Sequence, residues 1–214
     1  MPRTAARPRP TVVLLVRHGQ TPTTGKLLPG RAPGLHLSDA GQGQAKAVAE
    51  RLAAVPKIAA IYVSPLERTR ETAAPLAAAL GMKTKVDRGL LEVDIGDWTG
   101  MDFKTVRKAP EWKLVHQYPS GFRFPGGESF VEMQTRMVST LERLHRAHPG
   151  ETIVVVSHAD TIKAAVAHAL GTHLDLFQRI VISPCSVSAV AYGDAGPMVL
   201  SVNTTGDGPA PKPS

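Results

Sequence analysis

The sequence predicts an α/β fold: a mostly parallel central sheet flanked by helices on both faces, with an irregular lid insertion. Three observations carry this. Short β-branched runs alternate with helical patterns along the chain, the order expected of strand–helix–strand units. The runs Val12–Val16 and Ile153–Val156 are apolar throughout instead of alternating, which suits strands covered on both faces. The chain has 214 residues, 43% hydrophobic and 20% charged, enough apolar mass for one domain with a real core.

The elements follow in order. Val12–Val16 is the first strand, and it stops at Arg17-His18-Gly19. A Gly/Pro-rich loop, "TPTTGKLLPGRAPG", comes next. Ser38 reads as the N-cap of a helix whose apolar face runs through Ala45, Val48, Ala49 and Leu52. "IAAIYVS" is the second strand. "SPLERTRETAAPLAAALG" opens with helix-start signals: Ser64 as N-cap, Pro65 at the first helical position and Glu67 completing a capping box. Gly81 ends that helix. A short strand near Thr84–Val86 leads into a loop. Residues 97–127 read as irregular and aromatic. Ser129 to His148 reads as a long amphipathic helix, Ile153–Val156 as a strand and Thr161–Leu170 as a helix. "RIVISPCSVSAVAYG" and "PMVLSVN" close the chain as a hairpin of strands. The domain is expected to span residues 11–203 with its lid at about 97–127. A disordered basic arm is expected at 1–10 and a disordered Gly/Pro-rich tail at 204–214.

Composition removes several classes of partner. The formal net charge is +7, and Arg3, Arg7 and Arg9 supply three of those charges from a Pro-rich arm. A nucleic-acid arm would carry a denser basic run, so no nucleic-acid partner is expected. The apolar runs are too short to span a bilayer, and no secretory h-region follows the first residues, so no membrane role is expected. The single cysteine, Cys185, allows no internal disulfide and no cysteine-based metal cluster. It reads as a buried structural thiol in a reducing cytoplasm. Neither a metal nor a cofactor is expected.

Two Val-rich runs each end at a histidine, His18 and His158. In open α/β sheets, ligands sit beyond the carboxyl ends of the strands, where both histidines fall. A lone histidine after a strand is more often a cap or a satisfied loop residue. Here it has companions. Arg17 is adjacent to His18, Arg68 lies one turn inside the second helix, and Glu92 follows Leu-Leu just before a Gly turn. His158 sits where a strand meets a helix N-terminus, a place that favours an anion.

Five stretches, "LLVRHGQT", "SPLERTRET", "LLEVDIGDWTG", "FPGGES" and "VVSHAD", resemble the motifs of the histidine phosphatase superfamily, also called phosphoglycerate mutase-like. They occur in the family's order and cover most of residues 11–170. The resemblance implies that His18 is the nucleophile, that Arg17, Arg68 and His158 form the phosphate pocket, and that Glu92 is the proton donor. Thr24 stands where many mutases of the family carry an Asn, and its hydroxyl is a candidate phosphate donor. Ala159 replaces a frequent Gly and offers its amide. Trp98 is a candidate substrate contact at the edge of the lid. These residue types suit the chemistry: a neutral imidazole attacks an anionic ester, and two guanidinium forks hold its oxygens.

The implied function is hydrolysis of a small-molecule phosphomonoester through a phosphohistidine. A phosphomutase and a non-catalytic phospho-ligand binder are the alternatives. No Arg-Arg pair of the kind that grips a carboxylate in glycolytic mutases is present, which leans toward the phosphatase branch. A homodimer is left open. Six of the ten aromatic residues lie between Trp98 and Phe124, beside Lys104, Arg107, Lys108, Lys113 and Arg123. A minicore and a lid over the leaving group are equal readings of that stretch. Arg70 should point away from Arg68. Among the other histidines (36, 116, 145, 148, 168 and 173), only His116 is a candidate to line the pocket.

Overall fold

The computed structural model describes residues 9–206. Six strands form one sheet in the order β3-β2-β4-β1-β5-β6. They are β1 (Thr11–Arg17), β2 (Ile58–Val63), β3 (Thr84–Val86), β4 (Thr152–Ser157), β5 (Val187–Gly193) and β6 (Gly196–Thr204). The pairs β3–β2, β2–β4 and β4–β1 are parallel, while β1–β5 and β5–β6 are antiparallel. The sheet is therefore mostly parallel, with an antiparallel hairpin on one side.

Strand β1 shows why an unbroken apolar run was needed. Val12, Leu14 and Val16 pack on one face against Ala45, Val48, Ala49 and Leu52 of α1 (Asp39–Ala53) and Leu76 of α2 (Glu67–Ala79). Val13 and Leu15 pack on the other face. Their partners are Met137, Leu141 and Leu144 of α5 (Phe130–Arg146) and Ile162, Ala165 and Val166 of α6 (Ala159–Ala169). Each face buries its own set, so neither can turn polar.

The local start and stop signals mostly hold. Ser38 Oγ accepts from Gly41 N–H at 3.1 Å at the head of α1. Ser129 and Glu132 form a reciprocal capping box at the head of α5. Gly81, with φ of +63°, follows α2. There the N–H groups of Gly81 and Met82 turn back onto Ala78 O and Ala77 O.

Three boundaries differ from expectation. Helix α2 begins at Glu67 with Leu66 as its N-cap, and no side chain caps it. Ser64 stays with β2, its N–H donating to Val156 O, and its hydroxyl is engaged elsewhere. Helix α6 starts two residues early, with His158 as N-cap. The segment before Val187 is irregular, so the last hairpin starts inside "RIVISPCSVSAVAYG". Thr204, assigned to a tail, closes β6 and donates its hydroxyl to Val187 O. Residues 1–8 and 207–214, where most of the expected arm and tail fall, lie outside the described residues.

Residues 97–127 hold two short helices, α3 (Phe103–Val106) and α4 (Trp112–Gln117), with 3₁₀ turns around them. Their apolar residues meet in a third cluster. Trp98, Val106, Val115, Phe122 and Phe124 pack onto Phe130 and Met133 of α5 and Ala164 and Ala167 of α6. The insertion is thus bolted to the helices on one face of the sheet.

Candidate active site

Register brings the site together. Arg17 of β1 pairs with Ser157 of β4, so the next residues, His18 and His158, emerge side by side. Their rings lie 5.2 Å apart, centroid to centroid. On the far side of β4, Val63 pairs with Val156, which sets Ser64 beside Ser157. Three parallel strands therefore end level, delivering Arg17-His18, His158 and Ser64 to one edge. Helix α2 follows β2 and adds Arg68 in its first turn.

The loop after β1 is tightly held. His18 N–H donates to Ser157 O, and Gly19 N–H donates to Thr72 Oγ1 at 3.0 Å. Thr72 in turn donates to Arg68 O. A side chain on Gly19 would meet Gly41 O at 2.7 Å, and one on Gly41 would meet Gln20 O at 2.0 Å. These two glycines let the head of α1 press against the loop.

His18 is buried, and its Nδ1 lies 2.8 Å from Gly19 O. A carbonyl can only accept, so Nδ1 carries the proton and Nε2 keeps its lone pair. Burial first, then the Arg68 and Arg17 guanidiniums, push the His18 pKa down to about 3. The ring is neutral at physiological pH. His158 is fully buried and shares a 2.8 Å hydrogen bond between Nε2 and Ser64 Oγ. Burial and the same cations hold it well below the usual histidine range.

The arginines are each anchored by one terminal nitrogen. Arg68 is 1% exposed, and its Nη2 donates to Gly30 O at 2.8 Å. Arg17 Nη1 donates to Ile182 O at 2.6 Å. What remains is unusual. Arg17 Nε, Arg68 Nε, Arg68 Nη1 and His158 Nδ1 are buried without a hydrogen-bond partner. Buried charged donors left unpaired are costly unless an anion completes them. Ala159 opens α6, so its N–H is also free of an intrahelical partner.

Glu92 is half-buried, and its Oε1 accepts only from the neighbouring Val93 N–H at 3.0 Å. Burial, then the Asp160 carboxylate, raises its pKa; Val93 N–H, Arg68 and Arg17 oppose the rise. Thr24 spends its hydroxyl locally, accepting Thr21 N–H at 2.9 Å and bonding the Thr21 hydroxyl at 3.0 Å. Trp98 is set apart from the histidines. Its ring packs against Trp112, Phe122 and Phe124 in the aromatic cluster. Arg70 is exposed, as its spacing implied.

Sequence reasoning missed Ser64 and Asp160 as members of the site. Ser64 looked like a helix cap because nothing local says that β2 lies beside β4. Asp160, two residues after His158 in "VVSHAD", was visible and pairs locally with Lys163 at 3.1 Å, but its effect on Glu92 depends on the fold.

The family model of the histidine phosphatase superfamily (branch 1) matches residues 13–205. The chain belongs to the histidine phosphatase superfamily. Among curated relatives, a bifunctional protein of Mycobacterium tuberculosis is 36% identical over 207 residues, 95% of this chain and 56% of that protein. The chain thus spans little more than half the length of that relative. Phosphoserine phosphatase 1 of Hydrogenobacter thermophilus is 32% identical over 198 residues, 90% of this chain and 92% of its own. The native structure of a mycobacterial glucosyl-3-phosphoglycerate phosphatase superposes with a TM-score of 0.82 at 25% identity. It covers 92% of this chain and 100% of its own. In this histidine phosphatase superfamily member, the five motifs fall at strand ends, at helix starts and in the loop that carries Glu92.

Proposed function

We propose that this chain hydrolyses a small organic phosphomonoester through a phosphohistidine at His18. One observation carries the reading: among the described residues, three buried guanidinium N–H donors of Arg17 and Arg68 and the Nδ1 of His158 stand without partners, with His158 beside the neutral His18 ring. A tetrahedral dianion would satisfy them, and Ala159 N–H can add a fifth donor. Thr24 and Trp98 are not needed for this.

Nε2 of His18 attacks phosphorus as the ester P–O bond breaks. The bond's electron pair goes to the leaving oxygen, which takes a proton from Glu92. Water then attacks the phosphohistidine and gives a proton to the Glu92 carboxylate. The P–N bond breaks, its electron pair returns to Nε2, and inorganic phosphate leaves. A raised Glu92 pKa supports the first proton transfer, because the carboxyl must carry a proton when the ester binds. The arginines stabilise charge on the equatorial oxygens throughout.

Residues 97–127 come a short loop after Glu92 in the chain, which supports a role as cover for the leaving group. Cys185, buried and with its pKa pushed up to about 12, suits an inert thiol in a reducing cytoplasm.

The test is a panel of phosphomonoesters with phosphate release measured, beside a mutase assay primed with bisphosphoglycerate. Phosphate release with an acid-labile, base-stable phosphoenzyme is the expected result. Phosphoryl return to substrate without release would make the chain a mutase. Phosphate binding with no turnover of any ester would make it a binder.

A further inference from the structure

Among the described residues, the Glu92 carboxyl bonds only the Val93 N–H and no side chain, so its position depends on its backbone. That backbone lies in an irregular segment, residues 91–95, with no strand or helix to pair its polar groups. Three side chains from elsewhere in the chain supply the partners. Arg136 of α5 donates from Nη1 to Gly89 O and Leu91 O, both at 2.8 Å, and from Nη2 to Glu92 O at 3.3 Å. Arg31 donates from Nε to Glu92 O at 2.8 Å.

Glu128 joins the two guanidiniums. Its Oε1 accepts from Arg136 Nε at 2.9 Å, and its Oε2 accepts from Arg136 Nη2 at 2.9 Å and Arg31 Nη2 at 2.7 Å. Oε2 also takes Asp94 N–H at 3.1 Å, while Glu128 N–H donates to Asp94 O at 2.8 Å. The unit is partly buried, with side-chain exposures of 26% for Arg31, 18% for Glu128 and 22% for Arg136. Two guanidiniums this close would repel without the carboxylate between them. Arg31 also follows Gly30, whose carbonyl anchors Arg68. The same short segment therefore touches the phosphate side and the acid side.

We propose that Glu128, by holding Arg31 and Arg136 on the Glu92 carbonyl, is a positioning residue that sets the Glu92 carboxyl against the leaving oxygen. This rests on the reading of His18 and Glu92 given above. Glu128 touches no reacting atom. Its effect should therefore appear only where the leaving group needs a proton.

The experiment compares wild type with Glu128→Gln and Arg31→Gln on a series of esters whose leaving groups range from alkoxide to nitrophenolate. Arg31 sits in a partly exposed loop, so its variant guards against a folding failure of Glu128→Gln. The expected result is an alkyl-phosphate kcat/KM lowered about 10–100-fold, the scale of a small misplacement of a catalytic group. The nitrophenyl phosphate kcat/KM should stay within about threefold, and phosphoenzyme should still form from that ester. Log kcat/KM should then fall more steeply with leaving-group pKa than in wild type, a change that general loosening of the fold would not produce. Equal losses on all esters, or no loss on any, would overturn the proposal. Absence of phosphohistidine in the wild type itself would instead overturn the reading of His18, and this inference with it.

Discussion

The carboxyl edge of the sheet and the 97–127 insertion both concentrate unusual residues, and they are built in opposite ways. At the sheet edge, the neutral His18 ring and the Arg68 and Arg17 guanidiniums are tied to backbone that the fold already makes: Gly19 O, Gly30 O and Ile182 O. In the insertion, the buried groups are rings that hold one another. Phe122 lies 4.9 Å from Phe124, and Phe124 lies 5.2 Å from Phe130. The cations there, such as Arg107 and Lys113, stay at the surface or half-exposed. The difference separates two tasks. Under the proposed function, the phosphate pocket is tied to the strand order, because its donors stand at the ends of adjacent strands. We propose that choosing a leaving group falls to the insertion, which contributes none of the six strands of the sheet.

The largest expected break is at the sheet edge. His18→Ala should lower phosphate release about 10⁴–10⁶-fold, the scale seen when a covalent nucleophile is removed, and should abolish the trapped phosphoenzyme. Substantial turnover by that variant would detach the strand-end histidine from the chemistry.

Glu92→Gln lies between the two regions and should divide the substrates. Alkyl phosphates should slow about 10²–10⁴-fold, the usual range for general acid catalysis. Nitrophenyl phosphate, whose leaving group is stable without a proton, should slow much less. If both ester types slow alike, Glu92 braces the arginines and is not the acid.

In the insertion, Trp98→Ala should destabilise by about 3 kcal/mol, the lower end for a large buried ring. Urea unfolding measures this. The same variant should change relative kcat/KM among leaving groups and leave inhibition by inorganic phosphate unaltered. A matching loss of phosphate affinity would show that the two regions are not separable.

The smallest effect concerns pH. The folded pKa of His18 is about 3, below its unfolded value of about 6.5. Between those values the unfolded chain binds the extra proton, so His18 costs stability as pH falls through that window. His158 acts in the same direction. His18→Asn should therefore gain on wild type as pH drops from 7.5 to 5, by about 2 kcal/mol at pH 5. Parallel stability curves would mean that His18 is not held neutral by its surroundings.

Local signals carried much of this protein. The apolar runs specified doubly covered strands. Ser38 and Ser129 marked helix starts, and Gly81 marked a helix end, because caps and positive-φ turns depend on neighbours within a few residues. The arginine and two histidines at strand ends were legible because they came with companions, Arg68 and Glu92, in motifs that occur together along the chain. Strand order was not legible. It is decided by which apolar faces pack together across the whole chain, and it alone puts β4 between β1 and β2. That order turned Ser64 from a helix cap into the partner of His158. It also set Asp160 beside Glu92. The packing of Trp98 was likewise tertiary, because only the faces of α5 and α6 decide that Trp98, Phe122 and Phe124 are buried together. The sequence by itself therefore determined which chemistry this chain can hold. The tertiary structure decided which groups meet, since contacts between residues far apart in the chain depend on packing that no local pattern encodes.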